Sequence, residues 1–101
     1  MWAQLIKVQL KPGKNLAVAA SQLRAAEQPG SGLVREMFMR DQKDPALAYI
    51  LAVFESEEKA RERERDPRRQ EGLQAMQATM AEVLAVPPEF VDLTVEDEWT
   101  G

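Results

Sequence analysis

The chain has 101 residues, of which 45% are hydrophobic and 30% charged, and a formal net charge of −4. This composition predicts a single globular domain over residues 1–101 and argues against nucleic-acid binding, which depends on clustered cations. The absence of cysteine and histidine removes disulfides, thiolate nucleophiles and the commonest neutral-pH base and metal ligand, so we expect no metal site.

Two further features concern location. No apolar run reaches the roughly 18 to 20 residues that would span a membrane. The first ten residues lack the basic segment and apolar core of a signal peptide. We therefore expect a cytoplasmic protein without a membrane partner.

The first third of the chain predicts a strand and a helix. Residues 2–10 alternate, with Gln4 and Ile6 on one face and Leu5 and Lys7 on the other, which is the period of a strand. Pro12 and Gly13 end it. Asn15 is a good N-cap for the following helix. The apolar residues of that helix recur at helical spacing: Leu16, Ala19, Ala20, Leu23 and Ala26.

The middle of the chain predicts a hairpin. Residues 33–41 form a second strand, and a turn follows. In that strand we place Val34 and Phe38 on one face, and on the other Leu33, Met37 and Met39. Residues 46–54 form a third strand that is apolar on both faces. One of its rows contains Ala46, Ala48, Ile50, Ala52 and Phe54; the other contains Leu47, Tyr49, Leu51 and Val53.

The charged stretch at residues 55–72 predicts a solvated helix that packs weakly. Ser56 can cap it, Glu57 and Glu62 can pair with arginines one turn later, and Ala60 is its one apolar residue. Residues 66–67, an Asp-Pro pair, predict a break and a new start. The new helix has a core stripe, and a fourth strand follows. The stripe contains Leu73, Met76, Met80, Val83 and Leu84; the strand alternates through Val91, Leu93 and Val95.

The order β-α-β-β-α-β predicts an α+β, ferredoxin-like fold, with helices on one face of a four-stranded antiparallel sheet. The other face would then expose the row Leu47, Tyr49, Leu51 and Val53. We expect a second copy of the chain to cover this row in a homodimer. A monomer with a partly apolar sheet is the alternative.

Several stretches resemble the antibiotic biosynthesis monooxygenase (ABM) superfamily of dimeric α+β barrels. The strand that ends in Phe54, the Glu-Ser-Glu at residues 55–57, the Asp-Pro-Arg at residues 66–68 and Leu73 all fit. The resemblance covers essentially the whole chain. It implies a barrel formed by two sheets across a dimer, and a pocket between sheet and helices. Some relatives oxidise polycyclic aromatic compounds with molecular oxygen and without metal or flavin; others oxidise small quinols, and others degrade haem.

The chain departs from these relatives at their polar site positions. The asparagine, tryptophan and tyrosine of the polyketide-oxidising relatives correspond to Ile50, Phe54 and Ala60. The strand-one asparagine of the haem degraders corresponds to about Ile6, and no histidine exists to bind haem. The resemblance therefore implies an apolar pocket wall and no cofactor. The candidate wall residues are Ile6, Ile50, Phe54, Leu73 and Met76.

Asn15 and Arg35 are candidate polar anchors for a ligand in such a pocket. Each has a structural alternative, since Asn15 can cap a helix and Arg35 can pair with an acidic neighbour, and the apolar residues can simply fill the core. Two functions stay open. One is a cofactor-independent ABM-type monooxygenase acting on a small aromatic or quinol-like substrate. The other is a non-catalytic dimeric module that binds a hydrophobic small molecule or has a structural role.

Overall fold

The computed structural model describes all 101 residues as one four-stranded sheet with a layer of helices. The strands are β1 (Trp2–Gln9), β2 (Leu33–Arg40), β3 (Leu47–Phe54) and β4 (Glu89–Thr94). The helices are α1 (Ala17–Ala26), α2 (Glu57–Arg65) and α3 (Gln70–Val83), with a 3₁₀ turn (Pro67–Arg69) between α2 and α3.

All strand pairs are antiparallel, and the strands lie in the order β2-β3-β1-β4. In the central pair, Trp2 lies opposite Phe54 and Val8 lies opposite Ala48. The predicted ferredoxin-like α+β fold is confirmed. None of the helices combines the length and the apolar character needed to span a membrane.

Two buried clusters lie at opposite ends of the sheet face that the helices cover. Val8, Leu10 and Ala48 form one with Leu16 and Ile50. Trp2 and Phe54 form the other with Ala52 and Ala60. The alternation of β3 explains this, because Ala48, Ile50, Ala52 and Phe54 are buried whereas the residues between them are only partly covered. The space between the clusters is the site described below.

The edge strand β2 differs from its predicted pattern. Leu33 pairs with Phe54 but Arg35 pairs with Val53, so Val34 is an extra residue in a bulge. A bulge inverts the side-chain alternation across it. Leu33 therefore packs beside the cluster on the helix face, and the prediction that it shares a face with Met37 and Met39 was wrong.

The charged segment forms two helices with the predicted caps. The Oγ of Ser56 accepts the Lys59 backbone N–H at 3.1 Å at the start of α2. Asp66 accepts the Arg68 backbone N–H at 2.9 Å, and Pro67 begins the 3₁₀ turn that leads into α3. Arg61 pairs with Glu57 at 3.3 Å as predicted.

The predicted pair of Glu62 with an arginine does not form. Arg61 instead also contacts Glu64 at 3.1 Å and Asp92 on β4 at 3.0 Å. It therefore ties α2 to the edge strand of the sheet.

The second sheet face carries apolar side chains from every strand. Arg35 is its one charged residue on β2, and no helix covers the face. The register places on it Ala3 and Leu5 from β1, Met37 and Met39 from β2, Leu47, Tyr49, Leu51 and Val53 from β3, and Val91 and Leu93 from β4. It also places the charged Lys7 and Glu89 there, opposite each other on β1 and β4. We call this set the outer sheet face.

Candidate functional site

A cavity of about 820 Å³ lies between the helix-facing side of the sheet and helices α2 and α3. It exists because α3 packs mainly against α1 and the 3₁₀ turn rather than against the sheet. No residue of α3 is fully buried, so its apolar stripe faces this space instead of filling it. The side chains that form the apolar wall are Ile6, Ile50, Phe54, Leu73, Met76 and Met80.

Four charged side chains line the cavity: that of Glu64, which pairs with Arg61 at 3.1 Å, and a group of three from Glu36, Arg63 and Arg69 at one end. Arg69, in the 3₁₀ turn, is only 2% exposed. Its Nη1 donates to the backbone carbonyl oxygen of Arg63 at 2.9 Å, and its Nε has no partner. The site is therefore an apolar chamber with a charged end, and we call these three residues the charged end.

Glu27, which follows α1, forms a hydrogen-bonded ion pair with Arg63. The Arg63 Nη2 and Nε donate to the Glu27 carboxylate at 2.9 to 3.2 Å, and the guanidinium lies 5.3 Å from the centroid of the Phe54 ring. Glu36 on β2 is farther away, with its Oε2 3.7 Å from Arg63 Nη2. That separation is too long for a hydrogen bond, so Glu36 receives only part of the charge compensation that Glu27 receives.

Burial acts differently on the two carboxyl groups. It raises the pKa of Glu36 above its ordinary value, because the charge of Arg63 only partly offsets the lost hydration and Glu27 repels a second negative charge. Burial opposes ionisation of Glu27 as well, but hydrogen bonds and the charge of Arg63 outweigh it and lower the pKa of that group. Burial also lowers the pKa of Arg69, which stays charged at neutral pH.

An aromatic pair continues the wall next to the charged end. The rings of Trp2 and Phe54 are 5.9 Å apart at their centroids, and the Arg61 guanidinium lies 5.0 Å from the Trp2 ring centroid. Gln4 also lines the cavity, and its side-chain amide donates to Asp92 at 3.0 Å. No group of His, Cys, Asp or Glu side chains is arranged to bind a metal ion. The wall beside the charged end is thus aromatic, with a guanidinium close to each ring.

All five apolar candidates from the sequence, Ile6, Ile50, Phe54, Leu73 and Met76, line this cavity. The two polar candidates, Asn15 and Arg35, do not. Asn15 accepts the Ala17 backbone N–H at 2.9 Å, just before α1. Arg35 lies opposite Val53 on the outer sheet face, in alternation with Met37 and Met39. The polar groups of the cavity are therefore different ones.

Glu36, Arg63 and Arg69 were not among the site residues predicted from the sequence. Both arginines lie in a stretch of alternating charges, which we interpreted as solvated. One signal was present for Arg69, since it precedes Leu73 by four residues and Met76 by seven, which is the spacing of one helical face. This register places Arg69 on the same side of the segment as the apolar stripe.

Sequence comparison gives no relative: no family model matches the chain, and no curated protein matches it. Solved structures do match. A Nitrosomonas europaea protein provisionally named an antibiotic biosynthesis monooxygenase superimposes with a TM-score of 0.75 at 15% identity, covering 96% of this chain and 100% of that one. The chain has the fold of the antibiotic biosynthesis monooxygenases.

Two more structures share this monooxygenase fold. Rv0793 from Mycobacterium tuberculosis matches with a TM-score of 0.73 at 14% identity and covers 98% of both chains. A variant of SnoaB, a cofactor-independent oxygenase from Streptomyces nogalater, matches with a TM-score of 0.68 at 16% identity, covering 96% of this chain and 94% of its own. At identities of 14 to 16%, the likeness shows a shared fold and assigns no activity to this chain.

Proposed function

We propose that this chain is a cofactor-independent monooxygenase of the ABM type, and that the cavity binds a small aromatic or quinol-like substrate. The observation that carries the proposal is the cavity itself, which at about 820 Å³ has the size of small-molecule sites. Its aromatic and apolar wall suits a fused-ring compound. The shared fold with SnoaB, a cofactor-independent oxygenase, supports the assignment of the reaction class.

The proposed reaction is the oxidation of a ring methylene, as in an anthrone, to a carbonyl. A proton leaves the ring system and the substrate becomes an enolate, whose electrons reduce molecular oxygen. Both C–H bonds of the methylene are broken, one oxygen atom becomes the carbonyl oxygen, and the other leaves as water. The substrate supplies the electrons, so the residues of the cavity have to bind, orient and desolvate it.

A second function is favoured by a different observation. Ile50, Phe54 and Ala60 all line the cavity, and they occupy the positions at which the resemblance implies polar side chains in the oxidising relatives. A chamber without those groups fits a module that binds a hydrophobic small molecule and catalyses nothing. Turnover distinguishes the two functions.

Oxygen uptake with a panel of anthrones and hydroquinones tests the proposal. We expect uptake with at least one anthrone, and loss of uptake in Ala81→Trp, which places a large side chain in the cavity wall. Ala78→Trp is the matched control, because Ala78 lies exposed on the same helix away from the cavity. If no compound of the panel is turned over and the same compounds raise the unfolding temperature, the monooxygenase is refuted and the non-catalytic binding module is supported.

We also propose that the protein is a homodimer formed through the outer sheet face. Its apolar residues include Met37 and Met39, which are 38% and 40% exposed, and Leu93 at 38%. A two-fold partner would cover this face with an identical one. We expect sedimentation velocity to give a dimer at micromolar concentration, and Leu51→Lys to give a monomer. Val18→Lys, at an exposed position on α1, should stay dimeric; a monomeric wild-type protein would contradict the proposal.

A further inference from the structure

Arg69 is a buried cation that forms no ion pair. It is 2% exposed, no carboxylate oxygen lies within ion-pair distance of it, and the one hydrogen bond of its side chain is to the carbonyl of Arg63. Removing a charge from water costs several kcal/mol unless an opposite charge compensates for it. The side chain lines the cavity, so a molecule in the cavity can supply the missing negative charge.

The neighbouring charges do not supply it. Glu27 is engaged by Arg63 through three short contacts. Glu36 accepts no hydrogen bond, and its closest cationic atom is Nη2 of Arg63 at 3.7 Å. Arg63, Arg69, Glu27 and Glu36 make two cations and two carboxylates, yet only Arg63 and Glu27 form a hydrogen-bonded ion pair. The charged end therefore contains a cation without an ion-pair partner, Arg69, and a carboxylate that accepts no hydrogen bond, Glu36.

We propose that the charged end is an anion site, and that the ligand of the cavity is an aromatic compound with an anionic oxygen that accepts hydrogen bonds from Arg69. This inference rests on the proposed function to the extent that it uses the same cavity. It narrows the ligand from any apolar ring to a phenolate, an enolate or an aromatic carboxylate. The ring lies along the wall formed by Trp2 and Phe54, and the oxygen points to the guanidinium.

Glu36 controls the affinity of this site. An ionised carboxylate beside Arg69 repels an anionic ligand, whereas a protonated one leaves the guanidinium free and can donate a hydrogen bond. The charged groups that face Glu36 are Arg63 from α2, Arg69 from the 3₁₀ turn and Glu27 after α1. Anion affinity should therefore rise as the pH falls through the range in which Glu36 takes up its proton.

Matched pairs of probes test the site without any need for turnover. 7-Hydroxycoumarin as its phenolate and 2-naphthoate carry the anionic oxygen; 7-methoxycoumarin and methyl 2-naphthoate have the same rings without it. Affinities are measured by fluorescence and calorimetry on the wild-type protein, Arg69→Met, Arg69→Lys and Glu36→Gln. The two anions distinguish a phenolate ligand from a carboxylate ligand.

We expect at least one of the two anionic probes to bind about tenfold more tightly, or better, than its methylated neutral analogue, because it gains a charge-assisted hydrogen bond. Arg69→Met should abolish the preference, Arg69→Lys should retain part of it, and Glu36→Gln should increase it. The pH dependence is followed with 2-naphthoate, which stays ionised in mildly acidic solution where 7-hydroxycoumarin is protonated, and Glu36→Gln should remove it. If Arg69→Met does not fold, Glu36→Gln and the pH dependence still decide the matter.

Equal affinity for anionic and neutral probes, or no binding of either, would overturn the anion site. An anion preference that is unchanged in both Glu36→Gln and Arg69→Met would place the anion elsewhere and would also overturn it. A clear anion preference without oxygen uptake would refute the monooxygenase and leave the anion site standing.

Discussion

The contact between α1 and α3 holds the helix layer above the cavity, and it depends on Gly72. A Cβ atom at position 72 would lie 2.7 Å from the Cβ of Ala26 and 3.6 Å from its Cα. Ordinary contact between such carbon atoms requires about 3.5 to 4.0 Å. Gly72→Ala therefore forces the two helices apart by roughly 1 Å at this point.

Two opposing effects set the magnitude. Alanine in place of glycine favours a helix by up to about 1 kcal/mol, and by less in the first turn, where residue 72 lies. Overpacking a close contact costs about 1 to 3 kcal/mol. Because Ala26 is the last residue of α1 and is buried, it can move only in part. We expect Gly72→Ala to lower the free energy of unfolding by about 1 kcal/mol.

Urea unfolding followed by circular dichroism, at one fixed protein concentration, measures the change as a lower midpoint with an unchanged slope. The control is the double variant Ala26→Gly with Gly72→Ala, which moves the methyl group from one helix to the other. The two single variants each lose stability, and the sum of their losses predicts the loss of the double variant if the positions are independent. We expect the double variant to be more stable than that sum predicts by about 1 kcal/mol or more. A Gly72→Ala protein as stable as the wild type, or the absence of coupling with position 26, would refute the reasoning.

Three further predictions concern charged and capping groups. Since the folded-state pKa of Glu36 is raised, ionisation of this group lowers the stability of the folded protein as the pH rises through that value. In urea titrations, Glu36→Gln should therefore be more stable than wild type at pH 7, and the difference should vanish near pH 4. The hydrogen bonds from Arg68 hold the pKa of Asp66 at about 2. Carboxyl-carbon NMR should show this value, and Arg68→Gln should raise it. Ser56→Ala should destabilise the protein by about 1 kcal/mol through loss of the α2 cap, whereas Ser21→Ala, at an exposed position, should cost little in thermal unfolding.

The fold was predictable because its signals are local. The alternation of β3, the apolar spacing of α1 and the Asp-Pro pair at residues 66–67 each define an element without reference to distant residues. The row of Leu47, Tyr49, Leu51 and Val53 on the second sheet face follows from the same alternation. The apolar cavity residues Ile50 and Leu73 followed once the order of elements and the family resemblance placed strand and helix together.

The polar part of the site needed the tertiary structure. The alternation of β2 places Arg35 with Met37 and Glu36 with Phe38, but it does not show which of the two sides borders a cavity. Sequence also could not decide whether the apolar stripe of α3 fills the core or lines a chamber, since that depends on the partner against which the helix packs.

The stretch of alternating charges shows the difference most clearly. Its sequence determines two capped helices and an exposed outer surface, because caps and neighbouring pairs act over a few residues. Burial, by contrast, is a property of the whole assembly of elements. Only the packing of the elements around the 3₁₀ turn makes Arg69 a buried, unpaired cation at the end of an apolar cavity.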